Sequence, residues 1–368
     1  MPTRRDFLVG AAGATAGLFT SGALSGAAPR QVGAPAGKRR EISIGGRRVR
    51  TVDVHAHTFV PEVMDLVKNT PLADTAKTNA ATKALPLGDP QRLIDMDAQG
   101  IDYQAINVNA WGYSADRALA RDLVALQNEK ISQYCAKHPD RFVGMATLAL
   151  QHPDMAADQL EQAVRKLGMR GAAIGGSVEG VELSDRKFDP FWAKAEELGV
   201  LLFMHPQAAM GTTLNPRLSG KGGLGNTIGN PLETTVFLSH LIFEGTLDRF
   251  PGLKICAAHG GGFLGSYANR SDAVIQTFPN RVGPLPKKKP TAYLRDGQLF
   301  FDTIVFTPEA LRHLIAESGV GQIMIGTDYP FPWTSTEVDL VLSTPGLTDD
   351  QRVAILGGTA QKLMGIKP

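Results

Sequence analysis

The sequence predicts an α/β protein, a (β/α)8 barrel of the TIM type with a small N-terminal hairpin before it and a helix closing the C-terminus. Three observations predict it. Apolar, strand-like runs alternate with helical periodicities eight times between Thr51 and Met364. Four of those runs end in residues that bind metals: Val52-Asp-Val-His55-Ala-His57, Leu201-Leu-Phe-Met-His205, Lys254-Ile-Cys-Ala-Ala-His259 and Ile323-Met-Ile-Gly-Thr-Asp328. Strands that are apolar throughout are buried on both faces, and polar residues at their C-terminal ends point to one shared barrel mouth. Finally, no Gly-x-Gly-x-x-Gly follows the first run, as a doubly wound dinucleotide-binding sheet would require.

The elements follow in order. Residues 1–30 have a basic start with paired Arg4-Arg5, an uncharged stretch from Val9 to Ala28 and small residues at Ser25-Gly26-Ala27. This is the pattern of a twin-arginine export signal, which places the protein in the periplasm or outside the cell. The stretch is too rich in glycine and alanine to span a membrane stably. Residues 31–50 form a linker and a hairpin turning at Gly45-Gly46, and the barrel domain occupies 51–368. The expected strands are Thr51–His55, Ile101–Val108, Phe142–Leu148, Gly171–Ile174, Val200–His205, Leu253–His259, Leu299–Thr303 and Gln322–Asp328. Between the first two lies an irregular excursion, Thr58 to Pro90, helical only near Glu62 to Lys68. Pro90 opens a helix that stops at Gly100, and Ser114 is the expected N-cap of a long helix ending near His138. Further helices are expected over Asp154–Leu167, Pro190–Leu198 and Pro231–Phe250, after Gly262, and over Pro308–Ser318 and Thr348–Met364.

The bulk numbers exclude several function classes. With 368 residues, 43% of them hydrophobic, the chain can bury a large core. A net charge of +2, with both signs spread throughout, offers no basic face for nucleic acid, so a small molecule is the expected ligand. Cys135 and Cys256 are too few for a disulfide scaffold and form no Cys-x-x-Cys metal pair.

His55 and His57 stand two apart on a strand and so share a face, where two imidazoles suit one zinc-like ion. His205 and Asp328 close two other strands and complete a candidate metal set of His55, His57, His205 and Asp328. An aspartate after Ile-Met-Ile-Gly-Thr is costly to bury unless a cation meets it. His259, followed by Gly260-Gly261-Gly262, reads either as the proton-transfer residue beside the ion or as a further ligand. The first is preferred because a catalytic centre keeps one coordination position open. The fourth strand, Gly171–Ile174, has no Lys or Glu to bridge a second ion, which favours a mononuclear centre. Phe331 and Trp333, just past Asp328, are the expected substrate-facing aromatics, with Trp111, Phe188 and Trp192 as further candidates for the mouth.

These motifs, Val-Asp-Val-His-Ala-His, Phe-Met-His205-Pro, Phe-Pro-Gly-Leu-Lys-Ile-Cys-Ala-Ala-His259-Gly-Gly-Gly and Gly-Thr-Asp328-Tyr-Pro-Phe-Pro, resemble the amidohydrolase-2 branch of the amidohydrolase superfamily, the branch of aminocarboxymuconate-semialdehyde decarboxylase. The likeness runs from about Thr51 to Gly365. It implies a barrel holding one divalent metal, usually zinc with manganese as the alternative. It also implies non-oxidative removal of CO2 from aromatic or muconate-like acids. By the resemblance His55, His57, His205 and Asp328 hold the metal and His259 is the catalytic histidine next to the metal-bound water; Asp328 counts as catalytic as well as a ligand. Arg270 binds a substrate carboxylate, in the decarboxylase from the neighbouring subunit of a homodimer. The chain departs from the decarboxylase at one place: where that enzyme has an arginine after the first strand, Asn69 to Leu87 offers only Lys77 and Lys83, point charges without a bidentate fork. The competing function is a metal-dependent hydrolase of a lactone, ester or amide using activated water; a third is a non-catalytic binding protein.

Overall fold

The computed structural model describes residues 39–82, 86–207, 216–331 and 337–367; residues 1–30, read above as an export signal, Lys83 and Trp333 lie outside these. The hairpin forms as expected, with β1 (Ile42–Ile44) and β2 (Arg47–Val49) antiparallel about Gly45-Gly46. The barrel strands are β3 (Val52–His57), β4 (Tyr103–Asn107), β5 (Phe142–Ala146) and β6 (Gly171–Ile174). After a two-residue hairpin pair, β7 (Ser177–Val178) and β8 (Val181–Glu182), come β9 (Leu201–Met204), β10 (Lys254–Ala257), β11 (Leu299–Asp302) and β12 (Ile323–Met324). The eight barrel strands run parallel in the order β12-β11-β10-β9-β6-β5-β4-β3. The sheet closes where Val54 N–H donates to the Ile325 carbonyl at 2.9 Å and His57 N–H to the Tyr329 carbonyl at 2.8 Å.

The bore is packed, with Val52, Val54, Ala105, Leu201, Phe203 and Met324 filling its lower part. A larger apolar shell lies between strands and helices and contains Phe188, Phe191 and Trp192, all fully buried. Each such side chain contributes roughly 1.5–3 kcal/mol by leaving water. Phe188 and Trp192 are therefore packing residues and do not line the mouth: the Trp192 indole N–H donates to the Leu183 carbonyl at 2.7 Å.

Several boundaries differ from the sequence reading, each for a local reason. The long helix is Arg117–Lys137 and its N-cap is Asp116, not Ser114, with the carboxylate accepting from Ala118 N–H and Leu119 N–H. The excursion after β3 contains two helices, Val63–Val67 and Ala73–Thr82. The expected helix to Phe250 breaks at Gly245, φ 74°, into Asn230–Phe243 and Thr246–Arg249. The closing helix is interrupted by a π turn over Ala354–Gly358. A further helix, Glu337–Ser343, was not foreseen. Cys135 and Cys256 are free, and among the described residues no helix is long and apolar enough to cross a membrane.

Candidate active site

The C-terminal ends of β3, β9, β10 and β12 bring His55, His57, His205, His259 and Asp328 together at one end of the bore. The ladder between β3 and β4 shifts register between Asp53 and Ala56; His55 lies within the shift and His57 after it, and both face the other site residues. His55 lies fully buried with its ring centroid 4.8 Å from that of His57, 5.1 Å from that of His205 and 5.3 Å from that of His259. His55 Nε2 stands 3.0 Å from His57 Nε2 and 3.0 Å from Asp328 Oδ1, and His57 Nε2 is 2.9 Å from the same oxygen. Ligand atoms of His55, His205, His259 and Asp328 also lie within 4.8 Å of one another.

The second nitrogen of each ring decides what the first can do. His55 Nδ1 faces Asp302 Oδ2 at 2.6 Å and His205 Nδ1 faces the Pro206 carbonyl at 2.8 Å. Donating there leaves His205 Nε2 as a lone pair aimed at the cluster, and His55 Nε2 as the atom on which either a proton or a metal ion can sit. Burial and the neighbouring imidazoles hold His205 well below its ordinary pKa, and burial lowers His57 as well, so both rings are neutral. Burial alone would lower His55 too, but Asp328 and Asp302 outweigh it and raise it to about 10. Although burial opposes it, the same contacts hold Asp328 well below the usual carboxylate range. The cluster therefore calls for positive charge where His55 Nε2, His57 Nε2 and Asp328 Oδ1 meet. Two ligands about 2.1 Å from an ion and at right angles stand about 3.0 Å apart, so the donor set fits a divalent cation.

His259 sits differently. It has φ 56°, opens the turn His259–Gly261, and keeps its side chain 14% exposed with Nε2 3.9 Å from Asp328 Oδ2. Its Nδ1 is buried without a partner among the described residues. The glycines are needed for space: a Cβ on Gly262, φ +66°, would stand 2.2 Å from the Pro231 carbonyl oxygen. Asp328 shares the left-handed backbone, φ 56°, that non-glycine residues adopt mainly where the surroundings impose it.

Phe331 is half-buried, its ring 6.1 Å from that of His57. Trp111 lines a narrow cleft beside His57 together with Phe59, Asn79, Val108 and Asn109. Arg270 is exposed on the helix Leu264–Thr277 with no hydrogen bond or ion pair among the described residues. Lys77 lies away from the cluster, exposed and paired with Asp74 at 3.0 Å.

Sequence reasoning missed three buried acids. Asp302 binds His55 and also accepts from Gly260 N–H at 2.8 Å; it ends the apolar run Leu-Phe-Phe-Asp302, the same signal that exposed Asp328. Asp53 accepts from His55 N–H at 3.0 Å and from the Thr327 hydroxyl at 2.6 Å, and burial raises it to about 6. Glu337 is pushed up to about 9 by burial and by Asp302 nearby.

Comparison with known proteins agrees with this geometry. The amidohydrolase family pattern (Amidohydro_2) matches residues 52–366. The chain is 30% identical over 284 residues to the 2-amino-3-carboxymuconate-6-semialdehyde decarboxylase of Dictyostelium discoideum, covering 76% of this chain and 77% of that one. The crystal structure of 5-carboxyvanillate decarboxylase from Sphingomonas paucimobilis superposes with a TM-score of 0.77 at 25% identity, over 87% of this chain and 100% of that one. A dihydroxybenzoic acid decarboxylase from Polaromonas sp. JS666, solved with bound manganese and the inhibitor 2-nitroresorcinol, superposes with a TM-score of 0.72 at 27% identity, over 86% and 97% of the two chains. With the family pattern spanning nearly the whole described barrel and the site residues converging at its mouth, the chain belongs to the amidohydrolase family.

Proposed function

We propose that the chain is a mononuclear metal-dependent decarboxylase that removes CO2 non-oxidatively from an aromatic or muconate-like carboxylic acid. The reading rests above all on the triangle of His55 Nε2, His57 Nε2 and Asp328 Oδ1, with edges of 2.9–3.0 Å and His259 beside it. Two of the relatives described above act on aromatic acids by name and the third on a carboxymuconate. His55, His57, His205 and Asp328 hold the ion, and His259 is left for the proton. A divalent ion there supplies Lewis acidity, drawing electron density from a substrate oxygen. Zinc is the expectation from three imidazoles and a carboxylate, with manganese, as in the Polaromonas structure, the alternative.

The protein's own groups do the rest. His259, its Nε2 3.9 Å from the Asp328 carboxylate, brings a proton to the carbon that carries the substrate carboxylate, and Asp328 takes part as the unprotonated carboxylate beside it. The C–H bond forms, the bond to the carboxylate carbon breaks, and its electron pair returns to the π-system as CO2 leaves. Phe331 packs the substrate against His57 and excludes water; Trp333, outside the described residues, is the sequence's second candidate for contact with the substrate. Arg270 holds a substrate carboxylate in the site of a second copy of the chain, in keeping with its exposed, unpaired side chain. Sedimentation of the purified protein as a dimer is then expected; a monomer with full activity would exclude that role.

Substrate panels separate decarboxylation from hydrolysis. Incubating the metal-loaded enzyme with hydroxylated benzoates and carboxymuconates should release CO2, and lactones and esters should stay intact. Lactone turnover with no CO2 from any acid would replace the decarboxylase with a hydrolase. We also propose that residues 1–30 direct export in a folded, metal-loaded state. N-terminal sequencing of the exported protein is expected to start past that segment, and a start at Met1 would contradict export by it.

A further inference from the structure

The barrel is held together differently at one place, and that place runs through the site. Seven neighbouring strand pairs form parallel ladders, whereas β12 and β3, the ends of the strand order, share no ladder. Across this seam stand two backbone hydrogen bonds and an isolated bridge between Ala56 and Tyr329. His55 and His57 lie on one side of the seam and Asp328 on the other.

Side chains supply what the ladder does not. The Thr327 hydroxyl and N–H donate to Asp53 at 2.6 and 3.0 Å, tying β12's extension to β3 directly before the two histidines. Gln104 on β4 donates from Nε2 to Asp53 Oδ2 at 2.9 Å and accepts from Arg92 Nη1 at 3.1 Å. Arg92 Nη2 donates to the His57 carbonyl at 2.6 Å, and its guanidinium lies 4.7 Å over the ring of Tyr329, the residue after Asp328. The Tyr329 hydroxyl in turn donates to Asp95 at 2.8 Å, on the same helix as Arg92. Asp53, Arg92 and Gln104 are all 0% exposed. Burying a guanidinium that meets no carboxylate directly is costly and rare. Here it grips both sides of the seam within one residue of His57 and Asp328.

We infer that Asp53, Gln104 and Arg92 are positioning residues of the metal site, closing the seam between the first and eighth barrel strands and so setting the spacing of His55, His57 and Asp328. None of them touches substrate. Their effect passes through the three side chains they space, and the cation in turn cross-links the seam from the mouth. This inference rests on the metal reading of the site.

The test compares metal affinity with stability. Dissociation constants for Zn²⁺ and Mn²⁺ are measured by chelator competition on the full chain, alongside urea unfolding without metal. The variants are Arg92→Met and the milder Gln104→Asn, which shortens the relay by one methylene. Tyr293→Phe is the control: it removes a buried hydroxyl that donates to Asp248 at 2.6 Å, before β11 and remote from the mouth. Relay variants are expected to weaken metal binding about 10- to 100-fold, as loss of groups that orient metal ligands does, while the control loses stability and keeps its affinity. If Arg92→Met does not fold, Gln104→Asn carries the same expectation. Relay variants with wild-type affinity, or a control that loses affinity equally, would overturn the inference. A wild-type protein that binds no divalent ion would instead remove the metal reading itself, and this inference with it.

Discussion

Asp328→Asn is expected to abolish metal retention and turnover together. Asp328 Oδ1 faces both His55 Nε2 and His57 Nε2, and it is the single carboxylate in the proposed ligand set. The amide keeps the shape and removes the charge, leaving three imidazoles to hold a dication in a buried site. Asparagine is also the better choice physically, because it tolerates the φ of 56° at this position. Alanine would add backbone strain of roughly 1–2 kcal/mol and confuse folding with binding. Losing Lewis acidity worth several kcal/mol lowers kcat/KM on the order of 10³-fold or more, at 1.4 kcal/mol per factor of ten. Metal content after dialysis and the rate are read on the same sample. A metal-replete, active variant would take Asp328 out of the site.

His259→Asn should separate the two properties. The imidazole stands partly open on its glycine turn, 3.9 Å from Asp328 Oδ2, while the three other histidines are more deeply buried. Asparagine fits the backbone, φ 56°, and cannot exchange a proton near neutral pH. The expected outcome is wild-type metal content with kcat lower by about 10²–10⁴-fold, the range for removing a general acid or base. Loss of metal in this variant would make His259 a ligand, and an unchanged rate would deny it the proton.

The barrel was legible because its signal is redundant. Each strand is a short apolar run, and Gly100, Gly168 and Gly199 end three helices in the left-handed conformation that glycine adopts freely. Caps were less legible. Ser114 and Asp116 are both good N-caps, and the choice depends on where the loop from β4 delivers the chain. The residues proposed to carry proton or metal chemistry ended strands and could be read one by one, yet Asp302 was passed over despite the same pattern. Arg92 and Gln104 were not readable at all. An arginine on a helix opening at Pro90 has the composition of a solvated face, and only the closure of the sheet shows that it points at the His57 carbonyl. Phe188 and Trp192 failed for the opposite reason: an aromatic in the segment joining two barrel strands looks the same in sequence whether it packs a helix or lines a mouth.

The most direct test is anomalous diffraction at the metal edge from crystals of the purified chain. It should show one divalent ion per chain, about 2.0–2.2 Å from His55, His57, His205 and Asp328, with His259 close by and unligated. No ion at that point, or an ion held elsewhere while His55 and Asp328 stand apart, would contradict the account.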